Sequence, residues 1–129
     1  LQFAFDSREE SDYLPHNYGH NSVAYTGTHD NTTTADWEHS APAEDVAFAR
    51  EYLGITPDRS FPESFVRAVL GSVCDLAVIP LQDYLELGSE ARINIPSTLG
   101  ENWVWRLTPD QLTTDLCRKM ARMAKIYGR

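Results

Sequence analysis

A histidine and an aspartate stand side by side at the end of an apolar run, and their types suit them to chemistry. Residues 22–28 are rich in apolar and β-branched side chains up to Gly27, and His29 and Asp30 follow. Such a run predicts a strand that delivers an imidazole and a carboxylate to its carboxyl end. In α/β barrels, chemistry takes place at the carboxyl ends of the strands. The pair therefore predicts a polar site that faces a polyhydroxylated ligand.

Other polar side chains follow two further predicted strands, over residues 1–6 and 75–80. The second of these is a near-continuous apolar run, which is typical of a strand covered on both faces. The predicted polar rim consists of Asp6, His29, Asp30, Gln82 and Asp83. The alternative for each member is structural, since Asp30 or Asn31 would equally cap a turn and Asp6 a loop.

A metal or cofactor site is not expected. His16 and His20 have the four-residue spacing of metal ligands on a helix, but they lie in a loop without an HExxH pattern or a cysteine partner. No glycine-rich phosphate-binding spacing is present. Cys74 and Cys117 fall in apolar helical patterns, so we expect two buried free thiols and a reducing compartment.

Composition narrows the class of partner. The 129 residues are 42% hydrophobic, which is enough for one packed domain. Eleven basic and 19 acidic residues give a net charge of −8, which argues against nucleic acid because phosphate binding needs a cationic face. The charge suits a neutral or cationic ligand, or simply an acidic cytoplasmic protein. No apolar run approaches the roughly 20 residues of a membrane span, and the first residue, Leu rather than Met, predicts a start inside a larger protein.

Helical patterns separate the strands, so parallel pairing is expected. We predict a helix capped by Ser40 and ended by Gly54. A second begins at the Ser60–Glu63 capping box, and a third at Thr108. The buried faces are predicted to contain Phe65, Val69, Leu70 and Val73 in the second helix, and Leu112, Leu116, Met120, Met123 and Tyr127 in the third. Residues 7–21 and 88–105 are predicted loops, and 31–39 a loop or short helix.

The loops are rich in side chains that bind sugars in many proteins. Flat aromatic rings stack on sugar rings, although core packing is the alternative for any single ring. The aromatic residues in question are Tyr13, Tyr18, Tyr25, Trp37, Trp103 and Trp105. Arg92, Asn94 and Arg106 would either hydrogen-bond a ligand or fasten the loop over residues 88–105.

Four segments, in order, resemble those of amylomaltases, the 4-α-glucanotransferases also called disproportionating enzymes. Residues 25–33 read YTGTHDNTT, residues 1–5 LQFAF and residues 79–83 IPLQD. The fourth reads SEARIN over 89–94, followed by NWVWRL over 102–107. Two departures stand out, at residues 96–101 and at Val104, where the family often has Arg.

The resemblance implies an α/β fold, with residues 1–129 forming a single partial domain: about the last three βα units of a TIM (β/α)8 barrel. The family transfers α-1,4-glucan segments between maltooligosaccharides by retaining double displacement. Its nucleophile and acid/base lie upstream of this chain. Asp30 matches the carboxylate that stabilises the transition state, His29 matches a histidine that hydrogen-bonds the same sugar, and Asn94 matches a residue close to that subsite. His29 and Asn94 are therefore expected to bind substrate. The expected partners are maltooligosaccharides or α-1,4-glucan and the missing amino-terminal part of the barrel, and the isolated chain is expected to be inactive and to form a homo-oligomer. The alternative is a non-catalytic, self-associating fragment with at most weak glucan binding.

Overall fold

The computed structural model describes residues 1–6 and 10–129, so the first three residues of the predicted loop over 7–21 lie outside it. Within these ranges the chain forms two strands and five helices. The strands are β1 (Val23–Tyr25) and β2 (Leu76–Val78), and the helices are α1 (Thr34–Ser40), α2 (Ala43–Tyr52), α3 (Phe61–Leu70), α4 (Leu81–Tyr84) and α5 (Thr114–Ile126). Short 3-10 turns cover Gln2–Phe5, Pro15–Asn17, Ser89–Ala91 and Pro109–Gln111.

β1 and β2 pair in parallel, and α1, α2 and α3 connect them, as the alternation of strand and helix predicted. Val23 lies opposite Leu76, and Tyr25 lies opposite Val78. The carboxyl ends of the two strands therefore open on the same edge, which brings residues 27–31 close to residues 79–83. None of the described helices is both long and apolar enough to cross a membrane.

The predicted strand over residues 1–6 is wrong, because residues 2–5 form a 3-10 helix. The segment still lies beside β1, since the Gln2 amide donates to the Thr26 carbonyl at 3.3 Å. A strand would bury alternate residues, whereas Gln2, Ala4 and Phe5 are all buried and Phe3 is exposed. The tight turn carries Gln2 and Phe5 inward together, because residues three apart eclipse in a 3-10 helix.

The core lies between the amino-terminal turn, α2 and α3. Phe5 and Phe65 are fully buried, with ring centroids 5.3 Å apart, and Trp37 packs on Phe65 at 5.9 Å. Phe65, Val69 and Leu70 lie on the buried face of α3, as predicted. Val73 does not, since it follows the helix end and is half-exposed.

Capping explains where most helices begin. Ser60 accepts from the Glu63 amide at 3.2 Å and starts α3, as predicted. The predicted cap at Ser40 is wrong, because Ser40 ends α1 and Pro42 stands at the start of α2. Thr33 caps α1 by accepting from the Asp36 amide. Residues 31–39, which were predicted to form a loop or a short helix, thus contain most of helix α1.

The last helix starts later than predicted. Thr108 has the expected capping box, but it serves a single 3-10 turn, and Thr113 caps α5. Leu112 is consequently exposed, whereas Leu116 and Met123 are buried. Of the two thiols that were predicted to be buried, Cys74 is and Cys117 is exposed.

β2 is covered on one face only, so the prediction of a strand buried on both sides is wrong for this chain. Leu76 is 54% exposed and Val78 40%, and their partners Val23 and Tyr25 are similarly exposed. Ala24, on the opposite face of β1, is buried against the core. The sheet therefore presents an apolar outer face, formed by Val23, Tyr25, Leu76 and Val78.

Candidate functional site

The turn after β1 is fastened by Asn31, which leaves the neighbouring carboxylate available. The Asn31 side-chain oxygen accepts from the Thr28 amide at 2.9 Å and from the Thr28 hydroxyl at 3.1 Å. The Asn31 amide in turn donates to the Thr28 carbonyl at 3.1 Å. Of the two residues that were candidates for a turn cap, Asn31 has that role, whereas the Asp30 carboxylate contacts Asn94 and His29.

Asp30, His29 and Asn94 come together at this edge. The Asn94 amide nitrogen donates to Asp30 Oδ1 at 2.7 Å, and His29 Nε2 lies 3.3 Å from the same oxygen. Half of the Asp30 side chain and half of the His29 side chain are exposed. Asp30 Oδ2 has no hydrogen-bond partner among the residues that the structure describes. One carboxylate oxygen is thus fixed, and the other is open to a ligand.

Arg92 hydrogen-bonds to the backbone of both Asp30 and Asn94. Its Nη2 donates to the Asp30 carbonyl at 2.7 Å, and its Nε donates to the Asn94 carbonyl at 2.8 Å. Arginine has a rigid planar fork of donors, so these two bonds fix the separation of the two backbones. Of the two roles that the sequence left open for Arg92, it has that of fastening the loop.

Asp83 lies behind the site rather than on its rim. It is 3% exposed, and both carboxylate oxygens are occupied: Oδ2 accepts from the Thr26 hydroxyl at 2.5 Å and Oδ1 from the Thr34 amide at 2.9 Å. Thr26 directly follows β1 and Thr34 begins α1, so Asp83 ties together both ends of the loop that carries His29 and Asp30. Its predicted place on an exposed polar rim is wrong.

Two glutamines support the two segments of the site from inside. Gln82 is buried and donates to the Ala91 carbonyl at 3.2 Å, which joins α4 to the segment that contains Arg92. Gln2 donates to the Thr32 carbonyl at 2.9 Å. Gly27 packs so closely here that an added Cβ would lie 3.1 Å from the Gln2 side chain. Sequence reasoning missed Gln2, since no local pattern signals a contact that spans 30 residues.

Two depressions flank the Asp30–Asn94 contact. One, of about 540 Å³, is open beside the carboxyl ends of β1 and β2. Its lining includes Tyr25, His29, Asp30, Val78, Gln82 and Ile93. The other, of about 370 Å³, lies across the 88–105 segment and includes Asp36, Asn94, Asn102 and Trp105. Both combine apolar surface with amides and carboxylates, which suits a neutral ligand with many hydroxyls.

The remaining candidates lie elsewhere. Asp6 lines a separate depression with Phe3 and Tyr13, apart from His29 and Asp30. His16 bonds through Nδ1 to the Tyr52 hydroxyl at 2.9 Å, and no group of metal-ligating side chains occurs among the described residues. Arg106 donates to the Trp103 and Trp105 carbonyls and so fastens the loop.

The aromatic candidates divide between packing and the site. Trp37 and Tyr18 are both partly buried against the core. Tyr25 lines the larger depression and Trp105 the smaller one. Trp103 lies against His29, with ring centroids 4.9 Å apart. Tyr13 is exposed.

Comparison with known proteins gives one consistent result. Residues 1–113 match the family model of glycoside hydrolase family 77, described as 4-alpha-glucanotransferase. The 4-alpha-glucanotransferase of Clostridium butyricum is 45% identical over 130 residues, which cover the whole of this chain and 27% of the relative. That of Thermus thermophilus is 44% identical over 136 residues, again covering this chain entirely and 27% of the relative.

A solved structure agrees in fold. The amylomaltase from Streptococcus agalactiae in complex with acarbose superposes with a TM-score of 0.94 at 32% identity, covering 99% of this chain and 26% of that one. The chain thus spans about a quarter of the length of the proteins that it matches.

Proposed function

Because this chain belongs to the 4-alpha-glucanotransferase family, we propose that it is part of a cytoplasmic enzyme that transfers α-1,4-glucan segments between maltooligosaccharides. In this proposal the chain forms about the last three βα units of a TIM barrel, as the shared fold with an amylomaltase supports. Residues 1–6 lie beside β1, with residues 2–5 in a 3-10 turn. The upstream part of the barrel supplies the rest of the catalytic machinery.

The Asp30 carboxylate carries the proposal. Asn94 orients one of its oxygens and leaves the other open beside a depression that suits a sugar ring. A fixed negative charge at this position favours the oxocarbenium-like transition state of glycosyl transfer. His29 and Asn94 bind hydroxyls of the same sugar. The relative in complex with acarbose supports a maltooligosaccharide-like ligand for this site.

The retaining pair of carboxyl groups is expected to come from outside this chain. Retention requires a nucleophile and an acid/base about 5 Å apart. The nearest buried carboxylate, Asp83, has both oxygens occupied, and Asp36 accepts from the Thr32 and Ser40 hydroxyls. Asp83 thus has no free oxygen with which to attack a sugar, and both of the bonds that Asp36 accepts fall on its Oδ2.

The chain alone is therefore expected to release no glucose from maltotriose, and a mixture with a separately expressed amino-terminal part of a family member is expected to do so. The measurement is glucose release by the chain, by the amino-terminal part and by the mixture. Activity of the purified chain alone would contradict the assignment of the nucleophile and acid/base. An inactive mixture, shown by sedimentation to have associated, would contradict the proposed role of this chain.

A second candidate is a self-associating chain without catalysis, which the outer face of the sheet supports. Val23, Tyr25, Leu76 and Val78 present an apolar surface, and the outer edge of β2 pairs with no other strand in the part of the chain that the structure describes. Such surfaces and edges promote association. In the complete enzyme we expect the upstream strands to cover them.

In isolation, the chain is expected to form oligomers at tens of micromolar, measured by sedimentation velocity. Replacing Leu76 and Val78 with Thr should shift the distribution towards monomer, because these changes remove apolar area from the exposed face only. Val66→Thr, in the buried core, is the control for a loss of stability. A monomeric wild-type chain would contradict the prediction.

A further inference from the structure

Trp103 is a large apolar residue that lies at the surface and not in the core. Its residue is 56% exposed, yet its ring lies against the His29 imidazole with centroids 4.9 Å apart and planes inclined at 40°. It makes no other ring contact with the described residues. The one ring contact of this large indole among the described residues is thus with a residue of the proposed sugar site.

The backbone of Trp103 adds a second, independent observation. Its φ is +65°, a left-handed conformation that is rare for a bulky side chain. The conformation is held on both sides: the Trp103 amide donates to the Ile93 carbonyl at 2.7 Å, and its carbonyl accepts from Arg106 Nη1 at 3.0 Å. Gly or Asn would adopt this turn with less strain, so the turn alone does not account for a tryptophan. Strained residues of this kind cluster at functional sites.

The His29 imidazole has few contacts that would fix its orientation. It stands at the open end of β1, half of its side chain is exposed, and its polar contact within the described residues is the one with Asp30 at 3.3 Å. Rotation of the ring would move Nε2 away from Asp30. Building on the function proposed above, we propose that Trp103 is a positioning residue whose indole face holds the His29 imidazole with Nε2 beside Asp30 and the bound sugar.

Two substitutions distinguish the effect of the aromatic ring of Trp103 from the effect of its left-handed backbone. Trp103→Phe keeps an aromatic face at the strained position, whereas Trp103→Asn favours the left-handed backbone and removes the ring. If the residue served only to form the turn, the Asn variant would behave as wild type. If it orients His29, the Phe variant is the one that retains function.

The first readout is structural and needs no activity. In the complete enzyme labelled with 13C-histidine, the His29 signal is assigned by its loss in His29→Gln. An indole face at 4.9 Å shifts the imidazole protons upfield through its ring current. We expect this shift to persist in Trp103→Phe and to disappear in Trp103→Asn. Wild-type imidazole protons without an upfield shift would overturn the proposal.

The second readout is the split between kcat and KM for maltooligosaccharide transfer. Loss of orientation should lower kcat about 10- to 100-fold in Trp103→Asn, with a much smaller change in Trp103→Phe. A variant that raises KM alone would show that Trp103 stacks directly on sugar, and would overturn the positioning role. If the wild-type enzyme lacks transferase activity, the proposed function fails, while the chemical shifts still decide the Trp103–His29 contact.

Discussion

Asp30→Asn is expected to lower the kcat of the complete enzyme about 10²- to 10³-fold and to leave its stability almost unchanged. Oδ1 of an asparagine would still accept from Asn94, so the geometry of the 2.7 Å contact survives. The substitution removes the negative charge that opposes the developing positive charge on the sugar. Because half of the side chain is exposed, the folded state loses little.

Transferase assays with maltotriose, paired with thermal denaturation, measure the two effects separately. Asp115→Asn is the matched control: it makes the same carboxylate-to-amide change at a side chain that is 90% exposed and pairs with Arg118 on α5. We expect that variant to retain wild-type kcat. An Asp30→Asn enzyme with unimpaired kcat would remove the basis for assigning transition-state stabilisation to this carboxylate.

Local patterns predicted the parts of this site that depend on neighbouring residues. The run that ends at Gly27 does become β1 and does deliver His29 and Asp30 to an open edge. Ser60 does cap α3. In both cases the signal and the structure lie within a few residues of each other, so propensity and capping chemistry decide the outcome.

Contacts between distant segments decided the rest. Residues 1–6 have the alternation of a strand, but burial of Gln2 with Phe5 favours a 3-10 turn. Asp83 follows a strand just as Asp30 does, yet it turns inward because Thr26 and the start of α1 offer two donors there. The left-handed backbone of Trp103 depends on Ile93 and Arg106, and no sequence pattern signals it.

Asp83→Ala is expected to destabilise the fold by about 2–5 kcal/mol, because it leaves the Thr26 hydroxyl and the Thr34 amide buried without an acceptor. Thr34 Oγ1 is already buried without a partner among the described residues, so the substitution would add to the unsatisfied polar groups of this region. Asp83→Asn keeps an oxygen for the Thr34 amide and should recover part of the loss. The exposed Asp110→Ala is the control and should change stability by less than about 0.5 kcal/mol.

Urea denaturation followed by tryptophan fluorescence measures these differences, since Trp37 packs against Phe65 in the core and reports its loss. The same substitution should also lower kcat, because Asp83 fastens both ends of the loop that carries His29 and Asp30. The losses of stability and of kcat would thus both arise from one buried side chain that does not contact the sugar. An Asp83→Ala protein as stable as the Asp110→Ala control would show that the Thr26 hydroxyl and the Thr34 amide find other acceptors, and the loop would then have to be held mainly by Arg92 and Gln2.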